Sequence, residues 1–188
     1  MNAKDTALLV IDAQESFRQR PYWSDADAPA FFDRIQTLID GAKARRIPIV
    51  QIFHVEDEGA FALAGGFVRT MAPLTLEPDV VFHKHRHSAL IGSGLAVWLT
   101  ECGIRRLIVS GIRTEQCCET TTRHASDSGF LVDFVSEATL TFAMTARDGR
   151  VWSAEEIKAR TELVLADRFA RIATVEQALD GATERLAA

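Results

Sequence analysis

The sequence predicts an α/β fold: a three-layer α/β/α sandwich around a mostly parallel, doubly wound sheet of about six strands. Three observations predict it. Short apolar runs alternate along the chain with longer segments of helical spacing. The apolar runs are continuous rather than alternating in polarity, as in strands buried on both faces, and right-handed crossovers then lay helices on both sides of the sheet. Finally, 188 residues, 47% of them hydrophobic and 25% charged, suit a single soluble domain over 1–188.

The elements follow in order. "ALLVID" (7–12) is a short apolar strand that ends at an acid. Residues 29–46 place Phe32, Ile35, Leu38, Ile39 and Ala42 at helical spacing, with Pro29 near the start. "IPIVQIF" (47–53) and "DVVFHKH" (79–85) are the second and third strands. A helix over 92–103 stops at glycine, and "RRLIVSG" (105–111) is the fourth strand. "TEQCCETTTRHASDSG" (114–129) is helical, again ended by glycine, with Thr114 as its expected N-cap, and "FLVDFVS" (130–136) is the fifth strand. A helix over 153–168, the short "FARIAT" (169–174) and an edge helix reaching residue 188 complete the series.

Composition limits the function. With 26 acidic and 21 basic residues the formal net charge is -5, so neither nucleic acid nor an anionic membrane is attracted by the overall field. No apolar stretch approaches the roughly 18–20 residues that cross a bilayer. The opening "MNAKDTALLVID" lacks the apolar core and cleavage site of a secretory signal. Three cysteines, Cys102, Cys117 and Cys118, are an odd number in a chain too large to need disulfide staples, which points to a reduced, cytoplasmic thiol protein.

In open parallel sheets, sites form where the C-terminal ends of strands meet the following loops. Asp12 ends the first strand, Phe53 and His54 the second, and His83, Lys84 and His85 the third; Gly111 to Cys118 follow the fourth. An acid, an amine and a thiol therefore converge on one sheet edge from three strands. Each alone has an ordinary structural explanation: a strand-end cap, a solvated lysine, a small buried thiol. Cys117 falls in the first turn of its helix, where unpaired N–H groups and the helix dipole stabilise a thiolate. Cys118, about 100° further round, faces elsewhere.

Three blocks resemble the isochorismatase-like cysteine hydrolases, a family that includes nicotinamidases and related amidohydrolases. "ALLVIDAQESF" carries an aspartate followed by glutamine and phenylalanine at Asp12, Gln14 and Phe17. "FHKHRHSAL" carries Lys84, and "VSGIRTEQCCETTTRHASDSGFLVDFVSEA" leads from Gly111 through Thr114 to Cys117. The resemblance spans about residues 6 to 140 and implies a catalytic triad of Asp12, Lys84 and Cys117. It implies that Asp12 takes the thiol proton, Lys84 holds Asp12, and Cys117 attacks an amide-like carbon to form a thioester. It further implies a cis peptide at Ile112–Arg113, an oxyanion hole from the backbone N–H groups of Arg113 and Cys117, no cofactor, and a homo-oligomer of two or more copies acting on a small molecule. The apolar segments 59–74 and 138–152 suit subunit contacts, and 56–74 suits a lid.

Phe17, Phe53 and Arg113 are the candidate substrate contacts; Arg113 suits an anionic or carbonyl-rich substrate or else pairs with Glu115 or a neighbouring subunit. Tyr22 and Trp23 either wall the pocket or cover the core edge. Family nicotinamidases carry an aspartate–X–histidine metal site after the second strand, whereas "IFHVEDEG" offers only His54, so no catalytic metal is expected. His83, His85 and His87 alternate in a metal-like pattern on one short segment; a partly buried, hydrogen-bonded set is the expectation. His124 lies about two helical turns, ~10 Å, beyond Cys117 and reads as structural. Vinyl-ether hydrolysis of the isochorismatase type is the alternative reaction, and a redox or binding switch at Cys117 and Cys118 is the non-enzymatic one. Phosphoryl transfer through Asp12 wants a second acid where Gln14 stands.

Overall fold

The computed structural model describes residues 5–26 and 28–181. Its central strands are β1 (Thr6–Ile11), β2 (Ile49–His54), β3 (Val80–Lys84), β4 (Arg106–Ile112), β5 (Leu131–Leu140) and β8 (Arg171–Ile172). They form a six-stranded sheet in the order β3-β2-β1-β4-β5-β8, with every pairing parallel. Among the described residues five α-helices flank them, the first four between strands and the last after β8: α1 (Ala28–Ala44), α2 (Leu95–Glu101), α3 (Glu119–Asp127), α4 (Ala154–Leu165) and α5 (Val175–Gly181). The predicted last helix beyond Gly181 lies outside the described residues.

β1 shows why the layers form. All six of its residues are buried, and they alternate between two cores. Leu8 and Val10 pack with Phe31, Ile35 and Leu38 of α1 and with Leu179 of α5. Ala7, Leu9 and Ile11 pack on the other face with Leu95 and Leu99 of α2, Ala125 of α3 and Leu165 of α4. A period-two strand sandwiched this way must be apolar at every position, which is the pattern read from the sequence.

A small antiparallel hairpin, β6 (Met144–Thr145) and β7 (Val151–Trp152), was not expected. Its turn holds Asp148-Gly149 with Gly149 at φ 87°, so a local aspartate–glycine signal for it did exist. α4 follows at once, started by a capping box in which Ser153 and Glu156 exchange side-chain-to-backbone hydrogen bonds.

The chain turns from one wing of the sheet to the other between β1 and β4, which pair from Thr6↔Arg106 to Ile11↔Gly111. This is the switch point where open α/β sheets bind ligands. Gly111 closes the pairing at φ 123°, and a Cβ there would sit 1.9 Å from the Ile11 carbonyl oxygen. Only glycine lets the two strand ends come so near, and those ends carry Asp12 and the loop to Cys117.

Candidate active site

Asp12 follows β1 in a left-handed conformation, φ 52°, which aspartate tolerates better than most residues, and its carboxylate is wholly buried. Lys84 comes from the edge strand β3. Strands lie about 4.8 Å apart, so only a long side chain crosses over β2 to reach β1. Lys84 does so with no exposure to solvent. Its Nζ lies 2.8 Å from Asp12 Oδ2, 3.3 Å from Cys117 Sγ and 3.2 Å from His54 Nδ1. An ammonium has three protons, and here each has an acceptor.

Cys117 sits in a π-helical turn, Thr114–Cys118, and not in the first α-helical turn that the sequence suggests. The Cys118 N–H donates to Arg113 O, five residues back, at 3.2 Å. Arg113, not Thr114, occupies the N-cap. Thr114 is fully buried, and its hydroxyl pairs with that of Thr139 on β5 at 2.7 Å, so it is not available as a cap. The Ile112–Arg113 peptide before this turn is cis.

The electrostatics oppose the thiolate stabilisation expected from a helix N-terminus. Burial pushes the Cys117 thiol far up and Asp12 adds to this, while Lys84 pulls it down without compensating. Desolvation outweighs the helix-end dipole, so the resting sulfur keeps its proton. Asp12 Oδ1 has no hydrogen-bond partner among the described residues, and the buried carboxylate raises the thiol by its charge. For Lys84, burial opposes the charge, but Asp12 and Cys117 outweigh it and hold the ammonium above its ordinary range.

His54 completes the buried network. Its Nδ1 faces the Lys84 ammonium and its Nε2 lies 3.4 Å from Glu56 Oε1. Burial first, then the Lys84 charge, holds its pKa below the ordinary histidine value. The fully buried amide of Gln14 clamps the same residue by its backbone, donating to His54 O at 3.1 Å and accepting from His54 N at 2.8 Å. Below about pH 6.5 the unfolded chain binds a proton at His54 that the folded chain resists, so stability falls on acidification. Unfolding free energies measured by denaturant titration between about pH 8 and pH 5 should decline for the wild type, and His54→Gln should flatten that decline.

Above these groups lies a cleft of about 270 Å³ walled by Phe17, Tyr22, His54, Phe61, His87 and Arg113. Phe17 and Phe61 meet edge to face at 5.1 Å. The Arg113 guanidinium stacks 4.9 Å above the Tyr22 ring and pairs with Glu115 Oε1 at 2.9 Å. Tyr22 therefore walls the cleft, while Trp23 covers the core edge against Phe142 and donates to Asp25 Oδ1.

Phe53 is absent from this wall. It is buried beside His83, with ring centres 6.1 Å apart, because His54 points to Lys84 and its strand neighbour must point to the opposite face. The three alternating histidines do not gather either. His83 and His85 are exposed, while β3 ends at Lys84 and the following bend brings His87 to Cys117, with Nδ1 3.7 Å from Sγ. His124 bonds Ser88 Oγ at 2.8 Å. The 56–74 segment, expected as a lid or subunit contact, is tied to the loop after β1 by three hydrogen bonds: Ser16 Oγ donates to Phe67 O, Met71 N to Ala13 O, and Ala72 N to Glu15 Oε1.

A profile of the isochorismatase domain matches residues 6–177. The chain belongs to the isochorismatase family. An isochorismatase family protein of Bacillus subtilis, YrdC, is 24% identical over 93% of this chain and 94% of its own length. Nicotinamidase 3 of Arabidopsis thaliana is 29% identical, covering 75% of this chain and 76% of the plant protein. The crystal structure of an isochorismatase from Pseudomonas putida superposes with a TM-score of 0.83 at 27% identity, covering 94% of this chain and 91% of that one.

In this isochorismatase-family hydrolase the residues do not fit a nicotinamidase-type metal site. Among the described residues no three His, Cys, Asp or Glu side chains converge to hold a metal, and the Lys84 ammonium occupies the lone-pair side of His54. Sequence reasoning noted His54 and Gln14 without giving them these roles, and read His87 only as part of the histidine triplet. No local signal reveals the bend that carries His87 into the cleft.

Proposed function

We propose that this isochorismatase-family hydrolase cleaves a C–N bond of a small amide-like substrate through a thioester on Cys117. The observation that carries the reading is the single Lys84 ammonium joining Asp12 Oδ2 at 2.8 Å and Cys117 Sγ at 3.3 Å beneath the cleft. Because the sulfur rests as a thiol, attack requires a base, and Asp12 is the buried carboxylate beside it. Asp12 takes the proton as Sγ bonds to the carbonyl carbon. It then gives that proton to the leaving nitrogen as the C–N bond breaks. Lys84, with its protons already placed, fixes Asp12 and favours negative charge on sulfur as it develops.

The developing oxyanion is assigned to the backbone N–H groups of Arg113 and Cys117. The neighbouring Gln116 and Cys118 N–H groups are taken by Arg113 O. Phe17 and Arg113, both on the cleft wall, are assigned to substrate contact; Phe53 is not. The cleft volume, near the lower end of ligand pockets, suits a small substrate.

A nicotinamidase among the relatives favours C–N cleavage over vinyl-ether hydrolysis. A vicinal thiol switch is disfavoured because Cys118 has no exposure and burial holds its thiol protonated. Ammonia release from a panel of small primary amides and N-carbamoyl compounds tests the reading. At least one compound should reach a kcat/KM of about 10⁴ M⁻¹s⁻¹. Hydrolysis of vinyl ethers with no ammonia from any amide would sink it.

A further inference from the structure

The charges around the cleft are sorted rather than mixed. Asp12 and Lys84 pair at its floor. The acid Glu56 belongs to the histidine corner, with Oε1 3.4 Å from His54 Nε2. Two cations, Arg20 and Arg113, gather instead on Tyr22, their Cζ atoms 5.7 and 4.9 Å from the ring centre. Arg20, Tyr22 and Arg113 all line the cleft.

One acid serves those two cations. Glu115 Oε1 pairs with Arg113 Nη2 at 2.9 Å, and Thr141 donates to its other oxygen at 2.6 Å. The Arg113 side chain is buried, and its Nε–H has no acceptor among the described residues. Arg20 is exposed, and no carboxylate pairs with it among the described residues. The Tyr22 ring attracts both guanidiniums by its π face, but it carries no formal charge to offset them. One wall of the cleft therefore holds a positive charge that the protein leaves uncompensated.

We infer that the site takes amides that also carry a carboxylate, held by Arg20 and Arg113 while the amide carbon meets Cys117. The inference rests on the C–N reading above. A carboxylate accepts from two guanidiniums at once, through charge-assisted bonds that are shorter and stronger than those to a neutral carbonyl. In a cleft of about 270 Å³ only a short chain fits between the two ends. The substrate class is then the monoamide of a short dicarboxylic acid. Acylation of Cys117 releases ammonia, and water frees the dicarboxylic acid and restores the thiol. Arg20 sets the specificity, and the same wall turns away an amide that ends in an ammonium.

The probes are the monoamides of malonic, succinic and glutaric acid. Each is assayed for ammonia release beside the neutral amide in which an isopropyl group replaces the carboxylate. The best monoamide should exceed its neutral counterpart about 10²-fold in kcat/KM. That preference should shrink between about 0.05 and 0.5 M salt, because Arg20 is exposed to screening. Arg20→Glu reverses one surface charge without touching the core. It should lower the preference for succinamate over β-alaninamide, which ends in an ammonium, by about 10²-fold. Equal turnover of acids and neutral counterparts would overturn the proposal, as would an unchanged preference in Arg20→Glu. Ammonia from neutral amides alone would overturn it and leave the C–N reading in place. Ammonia from no amide or N-carbamoyl compound at all would overturn both.

Discussion

Cys117→Ala is expected to lower turnover of an ammonia-releasing substrate at least about 10⁴-fold, while Cys118→Ala keeps activity within a factor of about three. The sequence sets the two thiols side by side, but the fold gives them different surroundings. Cys117 touches Lys84 Nζ and His87 Nδ1 at the cleft floor. Cys118 is sealed in the core with Leu9, Val109 and Ala125. The Cys118 variant should therefore show its effect in stability, about 1 kcal/mol for a small core truncation, and not in rate. Steady-state kinetics beside thermal melts separate the two. Activity surviving in Cys117→Ala but lost in Cys118→Ala would reassign the nucleophile.

The second large effect comes from Lys84. Lys84→Met keeps the length of the side chain and removes its charge, leaving the Asp12 carboxylate buried without a counter-ion. Breaking a buried pair in this way costs about 3–5 kcal/mol, a large part of the roughly 5–15 kcal/mol that stabilises a typical domain. Turnover should be lost as well. Adding Asp12→Asn removes the stranded charge, and asparagine tolerates the left-handed backbone at position 12. The double variant should recover most of the lost stability, since a buried ion pair replaced whole is often close to neutral. It should recover no turnover, because an amide cannot take the thiol proton. Denaturant unfolding of the two variants and wild type checks this. A double variant as unstable as Lys84→Met would mean that the ammonium serves packing rather than charge.

Much of this site was legible in the chain. Asp12, Lys84 and Cys117 stand where apolar runs stop, and in a parallel sheet the stops of alternate segments share one edge. Gly111 could be read as a fixed point of the loop, although its reason, the 1.9 Å approach to Ile11 O, is a contact across strands a hundred residues apart. Phe53 was misplaced because a continuous apolar strand does not announce which face each residue takes. His54 settles it by pointing at Lys84. The helix N-terminus near Cys117 is visible in sequence, whereas the desolvation of the sulfur, which outweighs it, is not.

Local chain order was enough to place the layers and to bring Asp12, Lys84 and Cys117 to one edge of the sheet. Periodicity, continuous apolar runs and crossover handedness are properties of local chain order. The mutual geometry and surroundings of these three side chains came from the folded chain. The reach of Lys84 across β2, the protonated sulfur, the clamp of Gln14 on His54 and the turn of His87 toward Cys117 all depend on distances and burial. Those are set by groups far apart in the chain, and no spacing within one segment encodes them.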